Sequence, residues 1–361
     1  MTRGILDILN LGGGVQSSRL LEESIAGDLP RLHAAIFADT GWEPRPVYEH
    51  VEYLTEKSLL AGIPVYRVQA GDLRSDALRS QVYGGKMGLD AAAVVEASGV
   101  PRRRWASMPL YTCRVWWPIA EDIELLQGAI AVFEEKTSSE DVDYSQFLWV
   151  PEDEDDDWGK REASKLRKIL AHLKNGKPVE QRGMIKRQCT KEYKIEPIES
   201  FIKTDILGLE PSARWPKEMC VRQWFGISLD EMQRCRTSSQ KWKSHWYSLV
   251  ERRITRSACY SWFTERGLPV PPRSACKGCP FHHDDEWRAM RQRPEDWEDA
   301  CAFDDAIRKC GGMRGDCYLH RSCQPLRDVD LSTDVDRGQL LLPVVYDDIA
   351  EKECVTGHCF G

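Results

Sequence analysis

Residues 5–18, ILDILNLGGGVQSS, constrain this chain more than any other stretch. The apolar run Ile5, Leu6, Ile8, Leu9 and Leu11 predicts a buried strand, and the helical spacing of Leu20, Leu21 and Ile25 predicts a helix close behind it. Between them stand Gly12, Gly13, Gly14, Gln16, Ser17 and Ser18. A strand, a glycine turn and a helix start together make an anion site. Glycines let backbone approach a phosphate, and the first N–H groups of the helix point at it with partial positive charge. The run is not a Walker A loop, because no Gly-Lys-Ser/Thr follows, and it is not the G-x-G-x-x-G dinucleotide fingerprint. The competing reading is an ordinary strand-to-helix turn.

A second unit follows the same plan. Residues 32–37 (LHAAIF) predict a strand ending in Ala38-Asp39-Thr40-Gly41-Trp42-Glu43, a helix is expected over 44–61, and residues 63–68 (IPVYRV) predict a third strand. Strands alternating with helices imply an α/β fold with a doubly wound, mostly parallel sheet. Ligands in such sheets bind outside the carboxyl ends of the strands, where the glycine loop and Asp39-Thr40 both fall. Asp39 would equally serve as a helix cap.

Downstream, residues 182–198 (RGMIKRQCTKEYKIEPI) bring Lys186, Arg187 and Lys191 near Cys189; the cations suit phosphate or sulfate, and they favour the thiolate. An amphipathic surface helix is the alternative. Residues 221–228 predict a strand, 246–250 a further one, and Ser228-x-x-Glu231 fits a capping box, with Arg234 in reach of a ligand. Cys276-Lys277-Gly278-Cys279-Pro280 is a C-x-x-C turn that would place two thiolates on one ion or cluster, with zinc, a redox pair or free thiols as readings. His282 and His283 lie just beyond it.

These motifs together resemble the PAPS-reductase branch of the PP-loop ATP pyrophosphatases, the adenine-nucleotide α-hydrolases. The loop resembles S-G-G-x-D-S, with Gly12 and Gln16 in the Ser and Asp positions. Residues 39–43 resemble D-T-G-x-E, and the end of the chain, Lys352-Glu353-Cys354-Val355-Thr356-Gly357-His358, partly resembles K-x-E-C-G-x-H. The resemblance implies an adenine nucleotide, ATP or a relative with Mg²⁺, at Gly12, Gly13, Gly14, Gln16, Ser17, Ser18, Asp39 and Thr40. It implies catalytic roles for Arg187 and Lys191. The activity it implies is release of pyrophosphate from ATP, which adenylates an acceptor and prepares it for sulfur. Reduction of a sulfonucleotide by Cys354, or nucleotide binding without turnover, are the alternatives. It further implies a 4Fe–4S cluster, or Zn²⁺ in its place, on Cys276, Cys279 and Cys189. The family's mid-chain cysteine pair is broken here, so Cys259 is taken as the fourth ligand. Relatives of this stand-alone kind are linked to phages, plasmids and defence systems, so nucleic acid or a ribonucleoprotein is an expected acceptor, and a homodimer is an expected assembly.

The 361 residues have room for the nucleotide-binding core over 1–70 and 181–250, an insertion or helical region over 71–180, and a Cys-rich, mainly helical part over 251–361. A net charge of −7 argues against nonspecific nucleic-acid binding by the whole surface. Thirteen cysteines with no export signal and no membrane-length apolar run point to a cytoplasmic protein that uses sulfur for metal or redox work. The acidic run at 152–157 reads as a solvated loop. Cys301, Cys310, Cys317 and Cys323 have no tight metal spacing and read as structural.

Overall fold

A computed structural model describes residues 4–78, 108–116, 179–185, 187–308 and 315–333, with the short pieces 81–82, 103–104, 127–128, 130, 164, 166–168, 170–171 and 336–337. The elements run β1 (Leu6–Leu11), α1 (Val15–Ala26), β2 (Ala34–Asp39), α2 (Arg45–Leu60), β3 (Val65–Gln69), α3 (Leu73–Leu78), β4 (Gln81–Val82), β5 (Arg103–Arg104), β6 (Tyr111–Trp116) and β7 (Val179–Met184). Next comes α4 (Glu196–Phe201), flanked by π-helical turns at Lys191–Ile195 and Ile202–Ile206. Then follow β8 (Val221–Phe225), β9 (Lys243–Trp246), α5 (Ser248–Glu251), α6 (Arg256–Glu265), α7 (Asp284–Arg291), α8 (Pro294–Ala306) and β10 (Asp316–Tyr318).

Among the described residues, five strands form one wholly parallel sheet in the order β3-β2-β1-β8-β9. The chain is an α/β protein. Each face of the sheet is covered, as a parallel sheet requires. Leu9, Leu11, Phe37 and Trp224 pack with Leu20 and Leu21 of α1, Val47 and Leu54 of α2, and Phe263 of α6. Ile8, Ile36, Val68 and Val221 pack on the opposite side with Ile198, Ile202 and Trp242. Along β1, Leu6 and Ile8 serve one face and Leu9 and Leu11 the other, which is why apolar residues fill four of its six positions. A third core, built on Trp42, Leu73, Trp287 and Phe303, lies among α3, α7 and α8. A small antiparallel sheet, β10-β6-β7, stands beside the main one.

One expected strand moves. The expectation for 246–250 gives way to β9 at Lys243–Trp246, while Ser248–Glu251 turns as a helix. β9 is the sheet's edge, and its sequence KSHW has neither an apolar run nor strict alternation, so backbone pairing to β8 carries it. Among the described residues no helix is long and apolar enough to cross a membrane. The acidic run at 152–157 and Cys310 lie outside the described residues.

Burial of His50 gives stability a pH dependence. His50 is 6% exposed, its Nε2 lies 2.9 Å from Ser18 Oγ, and burial pushes its pKa down to about 4 from 6.5. Between these values the unfolded chain binds the extra proton and the folded chain does not, so stability falls as pH drops through that window. Burial also lowers His245 and His282, in the same direction. The urea midpoint is expected to fall between neutral pH and about pH 5, with on the order of 2 kcal/mol coming from His50. His50→Gln should flatten that slope; an unchanged midpoint in the wild type would remove the explanation.

Candidate functional site

The strand order reverses between β1 and β8, so their carboxyl ends diverge into a crevice. A cavity of about 360 Å³ opens there, within the size range of small-molecule sites. The glycine loop forms its floor. Gly14 is the extended N-cap of α1, no side chain caps that terminus, and the first turn carries no acidic residue. The first N–H groups of α1 are therefore left for a ligand. Ser17 shapes the loop, its Oγ accepting from the Gly12 N–H (3.1 Å) and donating to the Gly14 carbonyl (3.2 Å). Ser274 reaches over from the segment before the C-x-x-C turn and donates to the Gly12 carbonyl.

Cations ring this floor. Arg187, Lys194, Arg234, Arg256 and Arg273 line the cavity, and Arg236 and Lys243 stand toward β9. Arg273 is held from behind by Glu286 at 2.7 Å, and Arg187 packs over the Phe281 ring. Burial opposes the Lys194 ammonium, but the Glu43 carboxylate (3.6 Å) favours it and its pKa is left raised, so it stays charged. Leu73, Met108, Pro109, Ile195 and Ile198 make an apolar wall beside the end of β2, and Phe225, His245 and Tyr247 an aromatic one at the other end. Cations with an apolar wall suit an anion that carries a flat ring.

Several expected residues meet here. Gly12, Gly14, Gln16, Ser17, Thr40, Arg187, Cys189, Cys276 and Cys279 all line the cavity. Others do not. Gly13, at φ 73°, turns the chain and backs onto Val47 and Val51 of α2. Ser18 is fully buried against His50. Asp39 is also fully buried, accepting from the Gly41 N–H (2.8 Å), from Tyr48 (2.9 Å) and from Arg67, so it anchors the turn after β2. Lys191 is solvent-exposed beside Glu196; the cation that enters the cavity is Lys194, three residues on. The helical face that buries Tyr193, Ile198 and Ile202 carries Lys194 inward and leaves Lys191 out.

The four-cysteine metal set does not assemble. Cys259 lies in the core between α1 and α6, with Leu20, Leu21 and Phe263, while Cys189 and Cys276 pack against the core of Trp42 and Trp287. Among the described residues no group of three or more His, Cys, Asp or Glu side chains has the geometry to hold a metal ion. Cys189, Cys276 and Cys279 nevertheless share one wall. Burial pushes the Cys276 thiol well above its ordinary range and Cys279 to about 11, so both are protonated at neutral pH. Thr40 Oγ1 lies 3.2 Å from Cys276 Sγ, joining the second sequence motif to the C-x-x-C turn. Cys354 lies outside the described residues.

The capping-box reading of Ser228 and Glu231 is also replaced. Ser228 makes no side-chain cap; its Oγ accepts from Gln16 Nε2 at 3.3 Å. Glu231 accepts from the same amide at 2.8 Å and pairs with Arg234. Gln16, Glu231 and Arg234 are all buried, and all three line the cavity. A local S-x-x-E pattern gave no sign that its partner lay 215 residues earlier.

Fold and site thus define an α/β protein with a cation-lined cavity at the carboxyl edge of a parallel sheet. Comparison with family models, curated proteins and solved structures returns no match for the chain.

Proposed function

We propose that this chain is an adenine-nucleotide α-hydrolase of the PP-loop type, similar to the PAPS reductases, which cleaves ATP between its α and β phosphates and adenylates an acceptor for sulfur transfer. One observation carries the reading: the uncapped N-terminus of α1, behind a glycine loop, opens at the switch point of a parallel sheet into a cavity ringed by Arg187, Lys194, Arg256 and Arg273. The wall of Leu73, Met108, Ile195 and Ile198 suits the adenine ring. An acceptor oxygen attacks the α-phosphorus, the bond to the bridging oxygen breaks, and pyrophosphate leaves with that electron pair. The first N–H groups of α1 and the neighbouring guanidinium groups stabilise charge on the phosphoryl oxygens.

Sulfonucleotide reduction is the second reading, favoured by the thiols of Cys189, Cys276 and Cys279 on the cavity wall. In it Cys354 attacks the sulfate sulfur and the nucleotide leaves as its phosphate; a second thiol then attacks the Cys354 sulfur, a disulfide forms, and sulfite leaves with the electron pair of the broken S–S bond.

Pyrophosphate release from ATP by anaerobically purified protein tests the first reading. Ser17→Ala removes both side-chain bonds that shape the loop and leaves the Gly12 N–H without its partner. Release is expected to fall about tenfold or more. Absence of release from folded wild type, with sulfite formed from PAPS or APS and lost in Cys354→Ser, would select the second reading instead.

A further inference from the structure

Among the described residues the carboxylates that line the cavity are already engaged. The resemblance implies Mg²⁺ with the nucleotide, and Mg²⁺ takes one or two carboxylate oxygens from a protein beside substrate phosphates and water. The loop position that carries Asp in the resembled motif is Gln16, a neutral amide. Its Nε2 donates to Glu231 Oε2 at 2.8 Å and to Ser228 Oγ at 3.3 Å, and the other Glu231 oxygen holds Arg234. Glu231 is 5% exposed and Arg234 8%. Among the described lining residues the remaining carboxylate is Glu199, which is paired with Lys243. Asp39 and Glu43 do not line the cavity. Drawing Glu231 onto a cation would leave a buried guanidinium without its counter-charge, which is strongly unfavourable.

We propose that this cavity takes its nucleotide as the metal-free anion, with the α1 N–H groups, Arg187, Lys194 and Arg273 neutralising the phosphates, and with Gln16 and Glu231 acting as a latch that holds Arg234 at the crevice. The inference rests on the adenine-nucleotide reading of the cavity. The latch explains the loop's departure at position 16: an Asp there would stand against Glu231, two carboxylates across one hydrogen bond. Gln16 and Glu231 are positioning residues, acting through Arg234.

Calorimetric titration with the non-hydrolysable α,β-methylene analogue of ATP, in excess Mg²⁺ and in EDTA, tests this on the full chain. The wild-type Kd is expected to be no weaker in EDTA than in excess Mg²⁺, where most of the analogue is held as its Mg²⁺ chelate; weakening of about tenfold or more in EDTA would overturn the inference alone. No binding to folded protein in either buffer would overturn the adenine-nucleotide reading with it. Gln16→Asp is expected to weaken binding in EDTA by about tenfold or more and to recover with Mg²⁺. The double variant Gln16→Asp with Glu231→Gln, which returns the carboxylate to the loop, should bind more tightly in Mg²⁺ than in EDTA, a gain that the wild type lacks. If Gln16→Asp fails to fold by circular dichroism, the near-isosteric Glu231→Gln replaces it. That variant should weaken binding equally in both buffers, and wild-type affinity in it would overturn the latch.

Discussion

Gly226→Ala is expected to close the proposed nucleotide site from behind. A Cβ at this position would lie 2.5 Å from the Ser17 nitrogen, 2.9 Å from its Cα and 3.0 Å from the Gln16 carbonyl carbon. All three are backbone atoms at the start of α1, so no side chain can swing away. The strand end of β8 and the helix start of α1 must separate, and these two segments form the crevice. Overpacking of this kind costs about 1–3 kcal/mol, more where backbone must move. The N–H groups aimed at the anion move with it, so affinity for an adenine nucleotide should fall by about tenfold or more. Calorimetric titration and thermal unfolding check both halves. Wild-type affinity together with a wild-type Tm would show that the crevice walls are not in the contact described. A lowered Tm with unchanged affinity would remove the α1 terminus from the binding site.

The sequence marks the fold where one element speaks for itself. Apolar runs at β1 and β2 and glycines at 12–14 identify strand, turn and helix because interior parallel strands are buried on both faces and the turn needs small residues. Asp39-Thr40-Gly41 was legible as a motif, but its members part company. Thr40 faces the cavity, while Asp39 is saturated by its own turn, by Tyr48 and by Arg67, and only the folded turn separates them. Lys191 is the lysine the sequence singles out for phosphate and Lys194 is not, yet a rotation along one helix turns Lys194 into the cavity and leaves Lys191 out. Glu231 illustrates the opposite failure. Its local pattern has a complete local explanation, and its actual partner comes from 215 residues earlier, just beyond the neighbouring strand β1. Cys259 is taken as a ligand only to complete a set of four, whereas its placement follows the apolar face of α6. Residue type reveals the chemistry on offer; which groups share a cavity is set by contacts between segments far apart in the chain.

Gly278→Ala is the second large effect, and it probes how the C-x-x-C turn is seated. A Cβ there would meet the Trp42 ring at 2.0, 2.4 and 3.0 Å. Unlike the Gly226 case the obstacle is a side chain, but that side chain is wedged. Trp42 is 2% exposed, its Nε1 donates to Asp299 at 2.8 Å, and its ring lies 4.6 Å from that of Phe303. Its carbonyl accepts from the Lys277 N–H at 2.9 Å, which fixes the turn against it. The ring can yield only by giving up these contacts, so a loss of about 3 kcal/mol or more is expected in chemical unfolding. The double variant Gly278→Ala with Trp42→Phe supplies the missing room. Trp42→Phe alone costs packing and the bond to Asp299, yet the pair together should cost clearly less than the sum of the two, with a coupling of about 1–2 kcal/mol. Strict additivity would mean that the turn does not rest on the indole. Because Thr40 lies between this turn and the glycine loop, the same seating holds Cys276 at the cavity wall. Gly278→Ala should accordingly raise the reactivity of the Cys276 and Cys279 thiols toward a maleimide, since both are kept protonated by the burial that the displaced turn would lose.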